Sequence, residues 1–430
     1  MTVSQPAWVD YSVWWHCYPL GFTDAERRRV AGDPVTHRLE HLVGWLDYLV
    51  SLGCNGLLLG PVFASVSHGY DTLDHYRVDA RLGDEADLRR LVDEAHRRGI
   101  RVVLDGVFNH VAREHPAVAR AEAAGPGTPD GSWVQWVDGY VRCFEGHLDM
   151  PELDLSTPAV RDHIVGVMEH WLAFGIDGWR LDAAYAPGPD AWAPITARVR
   201  ADFPEAWLLG EVIHGDVADF VRRSGVHSLT QYELWKAIWS SLNDTNFWEL
   251  AHALERHRAF LATFVPQTFI GNHDVTRIRS MLNDDRHLGH AVVLLMVLPG
   301  IPSIYYGDEQ GFVGTKEDRP GGDDQIRPAM PPRPENLSLL GRPILAQHQA
   351  LIALRRRHPW LVRADIAVVA VTNETIVIEC SSESGGAHHE IAIALNVDDA
   401  PRPMPSGTVI AHSAEDLMEI EAHGWAVLER

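Results

Sequence analysis

Four short segments limit what this chain can fold into, because each carries an acidic residue where a short apolar stretch ends. They are Asp105-Gly-Val-Phe-Asn109-His110, Gly178-Trp-Arg180-Leu-Asp182, Gly210-Glu211-Val and Gly271-Asn-His273-Asp274. A carboxylate at the end of a buried strand is costly to keep there unless it serves a purpose. Four such strand ends in chain order therefore indicate a site of chemistry rather than four separate loop caps.

Strands and helices alternate from residue 11 to about residue 358. The predicted strands are Tyr11–Trp15, Gly56–Leu59, Arg101–Asp105, Gly178–Asp182, Trp207–Gly210, Ser228–Gln231, Thr268–Gly271 and Ser303–Tyr306. Helical segments lie between most of them; one runs from Asp84 to Arg98, with apolar residues at helical spacing. Eight strand–helix repeats predict an α/β fold, the parallel (β/α)8 TIM barrel, whose active site lies at the carboxyl ends of the strands.

Two stretches depart from a plain barrel. The segment at residues 111–153, after the third strand, is too long for a tight connection, so we predict a small inserted domain there and assign residues 1–110 and 154–358 to the barrel. The long stretch from Val313 to Asn336 is expected to form one wall of the cleft. After residue 358 the pattern changes to short β runs, which predict a C-terminal β-sandwich domain over residues 359–430.

Charge and composition limit the binding partners and the cellular location that we expect for this protein. A formal net charge of −22 disfavours nucleic acid and anionic membrane surfaces and suits a neutral substrate. The longest apolar run, Ala291 to Leu298, is too short to span a bilayer. The four cysteines form no Cys-x-x-Cys pair and the first residues do not form a secretory signal, so we expect a cytoplasmic protein. The oligomeric state is not predicted.

The acidic strand ends suit glycoside hydrolysis. Asp182 and Glu211 end consecutive predicted strands, which lie ~4.8 Å apart, so their carboxyls can lie ~5–5.5 Å apart, as in retaining glycosidases. Arg180 shares a strand face with Asp182, and we expect its charge to keep Asp182 ionised and nucleophilic. Glu211 has no adjacent base in the sequence, so we expect it to hold a proton more easily.

Metal binding is the rival interpretation of the same segments. Asp105, His110, Asp182, Glu211 and His273 also resemble the ligand set of a barrel metal hydrolase. Against this, no His-x-His pair follows the first predicted strand, where such sites often begin.

Together, in this order and on these strands, the four segments resemble the four signature regions of the alpha-amylase family of retaining glycoside hydrolases. His68-Gly-Tyr70-Asp71 and Gly300-Ile-Pro-Ser-Ile-Tyr-Tyr-Gly-Asp-Glu309 resemble two further segments of that family. The resemblance spans nearly the whole chain and equates the inserted segment with the family's domain B and the β tail with its domain C. It implies an enzyme that acts on an oligosaccharide or α-glucoside through a covalent intermediate.

The resemblance also implies residue roles. Asp182 would be the nucleophile, Glu211 the general acid/base, and Asp274 the transition-state stabiliser that holds the sugar's 2- and 3-hydroxyls. A further set would bind substrate: Tyr70, Asp71, Asp105, His110, Arg180, His273 and Arg327. Four tryptophans are the better candidates for stacking on sugar in the cleft: Trp14, Trp15, Trp133 and Trp136.

No cofactor is required under this interpretation. The resemblance suggests a structural calcium ion with Asn109 as a candidate ligand, although a structural hydrogen bond is the expected role of that side chain. Tyr185-Ala186 stands where many amylases carry Lys-His, which weighs against both the calcium site and action on a polymer.

Subgroup features point to short substrates. Met150-Pro-Glu-Leu-Asp154 resembles a segment of neopullulanases and cyclomaltodextrinases, a group close to the alpha-glucosidases. That group carries an N-terminal β domain, which we expect to be missing here together with its dimer-forming surface. Ala183 resembles members that cut α-1,4 rather than α-1,6 bonds, so we expect hydrolysis of α-1,4-linked maltooligosaccharides. Two alternatives stay open: a transglycosylase or sugar isomerase of the trehalose or sucrose type, and a catalytically inactive sugar-binding scaffold.

Overall fold

The structure is a computed structural model that describes residues 4–430 except 31, 33, 320, 385 and 414–417. One sheet holds eight parallel strands: β1 (Trp14–Cys17), β2 (Gly56–Leu59), β3 (Arg101–Gly106), β4 (Gly178–Leu181), β5 (Trp207–Gly210), β6 (Ser228–Leu229), β7 (Gln267–Phe269) and β8 (Ile301–Tyr305). Their order is β6-β5-β4-β3-β2-β1-β8-β7, and a parallel bridge between Thr230 and Gln267 joins the two edges of the sheet. The predicted (β/α)8 barrel is therefore confirmed.

Helices connect the strands on the outside of the barrel. The α-helices of the described chain are Pro19–Phe22, Leu39–Val43, Leu46–Leu52, Glu85–Arg97, Pro116–Ala124, Pro158–Phe174, Pro189–Asp202, Val217–Ser224, Tyr232–Asp244, Phe247–Leu261, Ile278–Met281, Leu288–Val297 and Arg342–Arg357. The helix predicted from Asp84 is confirmed: the Asp84 side chain accepts hydrogen bonds from the main-chain N–H groups of Ala86 and Asp87 and forms a capping box. No helix in this part of the chain is both long and apolar enough to cross a membrane.

Six of the eight predicted strands differ from the structure in at least one boundary, and in two of them a local turn explains the difference. The first strand was expected at Tyr11, but Ala7–Tyr11 is a 3-10 helix, and the chain pairs with β2 and β8 only from Trp14 onward. The sixth strand was expected to reach Gln231, but that side chain caps the next helix by accepting from the main-chain N–H of Leu234. In both places a local turn ends the extended conformation, which an apolar pattern does not reveal.

The two tryptophans of β1 lie in the packed core and not in the cleft. Trp14 points into the barrel interior and stacks on Trp207 with ring centroids 5.2 Å apart and planes 5° from parallel. Trp15 points outward and packs on Trp45, since successive strand residues face opposite sides. Neither Trp14 nor Trp15 is exposed to solvent, so the expectation that they stack on sugar is wrong.

The two ends of the inserted segment after β3 lie side by side. It contains the helix Pro116–Ala124 and a short hairpin of Trp136–Val137 with Tyr140–Val141. An antiparallel bridge between His110 and Glu152 brings its two ends together beside the carboxyl end of β3. Trp133 and Trp136, the other two cleft candidates, are half-buried and pack against the large core that includes the barrel. Stacking of either ring on sugar stays a prediction.

The C-terminal part is an antiparallel β domain, as predicted. Its five-stranded sheet has the spatial order Asp365–Val371, Thr375–Ser384, Ala387–Asn396, Trp425–Glu429 and Thr408–His412, and a separate pair is formed by Arg402–Pro403 and Glu419–Ile420. Alternate residues pack on the two faces: Ile391 and Ile393 join the large core that includes the barrel, whereas Ala392 and Ala394 form a small cluster with Ile420. The domain boundaries 1–110, 111–153, 154–358 and 359–430 stay predictions. The barrel ranges include positions 1–3, 31, 33 and 320, and the C-terminal range includes 385 and 414–417, which lie outside the described residues.

Candidate active site

One guanidinium joins three of the acidic strand ends. Arg180 lies in β4 and is 3% exposed. Its Nη1 lies 2.7 Å from Oδ2 of Asp105 and 3.1 Å from Oδ1 of Asp182. Its Nη2 lies 2.7 Å from Oε1 of Glu211, which follows β5. The structure thus brings together four of the predicted site residues, because neighbouring parallel strands end at the same edge of the barrel.

Glu211 accepts two hydrogen bonds and forms an ion pair with Arg180. Besides Arg180, the Tyr232 hydroxyl donates to Oε1 at 3.0 Å and the main-chain N–H of Ala183 donates to Oε2 at 3.0 Å. Ala183 has a φ of 43°, a left-handed conformation that costs a non-glycine residue ~1–3 kcal/mol. Glu211 has no adjacent base in the sequence, but Arg180, two residues before Asp182, contacts both carboxylates in the structure. That Glu211 holds a proton more easily stays a prediction.

Asp182 is buried, with 8% of its side chain exposed. Burial raises the pKa of the Asp182 carboxyl well above its ordinary value; the Arg180 guanidinium opposes this shift, and the charge of Glu211 adds to it. This direction runs against the expectation that Arg180 keeps Asp182 ionised, which stays a prediction. His110 Nε2 lies 4.0 Å from Oδ2 of Asp182, and burial lowers the pKa of His110 to about 3, so its ring is neutral near pH 7.

Asp274 has a different environment. Burial alone would raise the pKa of its carboxyl, but His273 and Arg327 outweigh that effect and hold the pKa well below its usual range. His273 Nε2 lies 2.9 Å from Oδ2, and Arg327 Nη2 lies 3.0 Å from Oδ1. With 31% of its side chain exposed, Asp274 is more accessible than Asp182, at 8%. It is an anion that faces the cleft.

Two tyrosine rings lie against His273. The Tyr70 hydroxyl donates to Oδ2 of Asp105 at 3.0 Å and also contacts Nε2 of His273. The rings of Tyr70 and Tyr18 both lie parallel to that of His273, with centroids 5.4 Å and 6.2 Å away. The Arg327 guanidinium lies 4.5 Å from the centroid of the Tyr18 ring, which places the two in cation–π contact.

Tyr18 and Tyr232 are the site residues that the sequence analysis missed. The signal available for Tyr18 is its position directly after β1, and for Tyr232 it is the position three residues after β6. Strand ends carry the site in this fold, so any polar or aromatic residue there is a candidate.

Asp71 has mainly local contacts. Its carboxylate accepts hydrogen bonds from the main-chain N–H of Ser67 at 3.1 Å and from the Ser67 hydroxyl at 2.5 Å. It borders the cleft, with 5% of its side chain exposed. Direct substrate binding by Asp71 stays a prediction, and its observed contacts hold the loop that carries Tyr70.

Calcium binding was tested against the surroundings of Asn109. Its Oδ1 is buried and has no hydrogen-bond partner, whereas its main-chain oxygen already accepts from Leu153. Ca²⁺ takes six to eight oxygens. The hydroxyl of Tyr185, which stands where many amylases carry Lys, donates to Glu145. A single free oxygen falls short of such a set. Calcium at Asn109 stays a prediction, and no catalytic step proposed below depends on it.

The cleft lined by Tyr18, Asp71, Asp274 and Arg327 has a volume of about 1590 Å³. Asp274 and Arg327 line its floor, and the inserted segment contributes Glu145 and His147. Part of the stretch from Val313 to Asn336 forms another side of it. Pockets for drug-sized ligands are ~300–1,000 Å³, so this cleft admits an oligosaccharide.

Comparison with known proteins agrees with this geometry. The family model "Alpha amylase, catalytic domain" matches residues 16–146 and 130–338. A cyclomaltodextrinase from Geobacillus thermopakistaniensis is 28% identical, over 93% of this chain and 71% of its own length. An intracellular maltogenic amylase from Bacillus subtilis is 29% identical, over 74% of this chain and 58% of its own length. The chain thus spans little more than half the length of some of its curated relatives.

Solved structures agree in fold. A cyclic alpha-maltosyl-(1→6)-maltose hydrolase from Arthrobacter globiformis superimposes with a TM-score of 0.82 at 24% identity and covers 99% of this chain and 100% of its own. A debranching enzyme from Nostoc punctiforme gives a TM-score of 0.80 at 25% identity, with 100% of both chains covered. The catalytic-domain match and the arrangement of acidic strand ends lead to one conclusion: this chain belongs to the alpha-amylase family of glycoside hydrolases.

Proposed function

We propose that this protein hydrolyses short α-1,4-linked maltooligosaccharides with retention of anomeric configuration. The observation that supports this most directly is that Asp182 and Glu211, on neighbouring strands, contact the same guanidinium of Arg180. Two carboxylates held that close suit a double displacement, in which one attacks the sugar and the other transfers the proton. The similarity to a cyclomaltodextrinase and to a maltogenic amylase supports the class of substrate.

The first step breaks the glycosidic bond. A carboxylate oxygen of Asp182 attacks the anomeric carbon, while Glu211 gives its proton to the departing glycosidic oxygen. The products are a glycosyl ester of Asp182 and a shorter sugar with a free hydroxyl. This step requires that Glu211 holds the one proton that the two carboxyls share. It also requires that the Asp182 side chain is ionised when substrate is bound.

The second step releases the sugar. Glu211, now ionised, takes a proton from water, and the resulting hydroxide oxygen attacks the same anomeric carbon from the side that the leaving group occupied. Asp182 leaves as a carboxylate, and two inversions give a product of the original α configuration.

Asp274 serves both steps without forming a bond to the sugar. It stays ionised because His273 and Arg327 lower the pKa of its carboxyl. An anion in contact with the cleft would hold two sugar hydroxyls and stabilise the positive charge that develops on the ring. Asp105 would position Arg180 and Tyr70, both of which it contacts.

A product profile tests the proposal. Purified protein is given maltotriose, panose, isomaltose, trehalose, sucrose and starch, and the first anomer released is followed by proton NMR. We expect glucose or maltose from the α-1,4 substrates, first as the α anomer. Initial β anomer would contradict retention, and longer or rearranged sugars would indicate a transglycosylase or isomerase. No product from any sugar would favour a binding scaffold.

The cytoplasm is the proposed location. The support is that one relative is named an intracellular enzyme. Fractionation of the source cells, with the chain detected by antibody, tests this; recovery from the culture medium would contradict it.

A further inference from the structure

A cluster of histidine and aspartate side chains lies where the barrel meets the C-terminal sheet, at residues that the proposed catalysis does not use. Asp284 and His287 precede the helix Leu288–Val297 of the barrel, and His423 precedes the strand Trp425–Glu429 of the C-terminal domain. One ligand atom from each of the three lies within 4.8 Å of the other two. We propose that this cluster binds a divalent transition-metal ion of the zinc type and joins the two domains.

The two imidazoles already face each other. His287 Nε2 lies 3.0 Å from His423 Nδ1, and the two rings are buried, with 6% and 9% exposed. Two nitrogens bound to one tetrahedral Zn²⁺ at ~2.0–2.1 Å lie about 3.3 Å apart. A small outward movement of either ring therefore admits the ion between them.

Asp399 sets the tautomer that metal binding needs. Its Oδ1 lies 2.8 Å from His423 Nε2, so that nitrogen carries the hydrogen and Nδ1 presents its lone pair to His287. Metal-ligating histidines commonly donate their second ring N–H to a carboxylate in this manner. In the metal-free molecule His287 donates Nε2–H to that lone pair; ligation requires only that His287 carry its hydrogen on Nδ1 instead.

The remaining surroundings favour a cation. Asp284, Glu374, Asp398 and Asp399 border a groove of about 370 Å³ with the two histidines, and Arg286 is the basic residue among its lining. Both oxygens of the Asp284 carboxylate also accept hydrogen bonds from the Arg286 side chain. That side chain is 58% exposed, and ligation by Asp284 requires it to turn toward solvent. Two imidazoles and one carboxylate form a ligand set that prefers Zn²⁺ over Ca²⁺ or Mg²⁺, and water can complete the tetrahedron.

The ion would add a link between the two domains to a joint that already has an apolar core, in which Ile391 and Ile393 pack, and several polar contacts. His290, next to His287 in the same helix region, contacts the main-chain oxygens of Asn396 and Gly424 through Nε2 at 3.1 Å and 3.0 Å. A ligand at free concentration L that binds only the folded protein stabilises it by RT ln(1 + L/Kd), so the unfolding temperature rises with the logarithm of the ligand concentration above Kd. Because Asp284 and His287 are separated from His423 by more than one hundred residues, the site exists only when both domains are folded and docked.

The experiment uses the full chain, stripped with a chelator and titrated with Zn²⁺ in a calorimeter and with Co²⁺ in a spectrophotometer. We expect one equivalent of Zn²⁺ to bind, a tetrahedral Co²⁺ absorption spectrum, and a higher unfolding temperature. His287→Ala and His423→Ala should abolish all three. Asp399→Asn, at an exposed position that does not threaten folding, should weaken binding about 10–100-fold.

His37→Ala is the matched control, because His37 with Asp84 and Asp87 is the other three-residue group of potential ligands among the described residues. It should leave the Zn²⁺ and Co²⁺ signals unchanged. The proposal is overturned if the stripped protein binds no Zn²⁺, if a folded His423→Ala binds it as the parent does, or if His37→Ala removes the signal. A wild-type affinity in Asp399→Asn would overturn the assigned tautomer and with it this site.

Discussion

The hydroxyl of Tyr232 donates a hydrogen bond to Oε1 of Glu211 at 3.0 Å, and both side chains are buried. Asn272 Nδ2 in turn donates to the Tyr232 oxygen at 3.0 Å. Tyr232 thus connects the end of β7 to the proposed acid/base at the end of β5. A rigid hydroxyl on this carboxylate fixes the position of the group that has to deliver a proton.

Removal of that hydroxyl should impair the reaction more than the fold. A hydrogen bond to a charged group contributes ~1.5–3 kcal/mol, so Tyr232→Phe should lower kcat/KM on maltotriose by about 10–100-fold. Tyr185→Phe is the control, since the Tyr185 hydroxyl contacts Glu145 on the rim. Steady-state kinetics decides the matter, and equal losses in the two variants would contradict a special role for Tyr232.

Asp182 and Asp274 should have opposite effects on stability at neutral pH. The pKa of Asp182 is raised in the folded state, so its ionisation costs stability as pH rises above the ~3.9 of the unfolded chain. The pKa of Asp274 is lowered, so its charge contributes stability above ~3.9 that is lost as pH falls through the folded pKa. Asp182→Asn should therefore raise the unfolding temperature at pH 7, and Asp274→Asn should lower it.

Thermal unfolding of both variants and the parent, followed by circular dichroism between about pH 4 and pH 8, measures these differences. The difference for Asp182→Asn should shrink toward about pH 4, where the carboxyl of the unfolded chain begins to take up its proton. The difference for Asp274→Asn should persist there, because the folded-state pKa of Asp274 lies well below its usual range. If the unfolding temperature at pH 7 shifted in the same direction in both variants, the surroundings of Asp182 and Asp274 would differ less than their contacts with Arg180 and Arg327 imply.

Arg180 should be the most costly basic residue to remove. It contacts three buried carboxylates, and a buried charge left without its partner costs ~3–5 kcal/mol. Arg180→Met should reduce the free energy of unfolding by about that amount in urea titrations. Arg97→Met is the comparison, because Arg97 is 65% exposed and pairs only at the surface with Glu94, where ion pairs contribute ~0–1 kcal/mol. A small loss for Arg180→Met would mean that the carboxyls take up protons to compensate.

The sequence was sufficient to predict the barrel and the acids at its strand ends, because the apolar stretches and the residues that end them are local features. Arg180 could be placed beside Asp182 by counting two residues along a strand. Its contact with Glu211 could not, since that contact depends on how β4 and β5 are staggered. Tyr18 and Tyr232 were missed for the same reason. The directions in which the pKa values of Asp182 and Asp274 shift depend on burial and on partners from several loops. Neither burial nor those partners can be deduced from the order of residues.

The backbone after Asp182 supplies a last prediction. Ala183 has a φ of 43°, which glycine adopts without strain, whereas the neighbouring Ala184 has an ordinary negative φ and is fully buried. Ala183→Gly exchanges relief of ~1–2 kcal/mol of left-handed strain against ~0.4–1 kcal/mol of added chain entropy, so stability should stay level or rise slightly. Ala184→Gly has no strain to relieve and should lose ~1 kcal/mol. Urea unfolding of the two variants measures this difference. Because the main-chain N–H of residue 183 still reaches Glu211 in Ala183→Gly, that variant should keep its activity. An equal loss of stability in both variants would mean that the turn after Asp182 is unstrained.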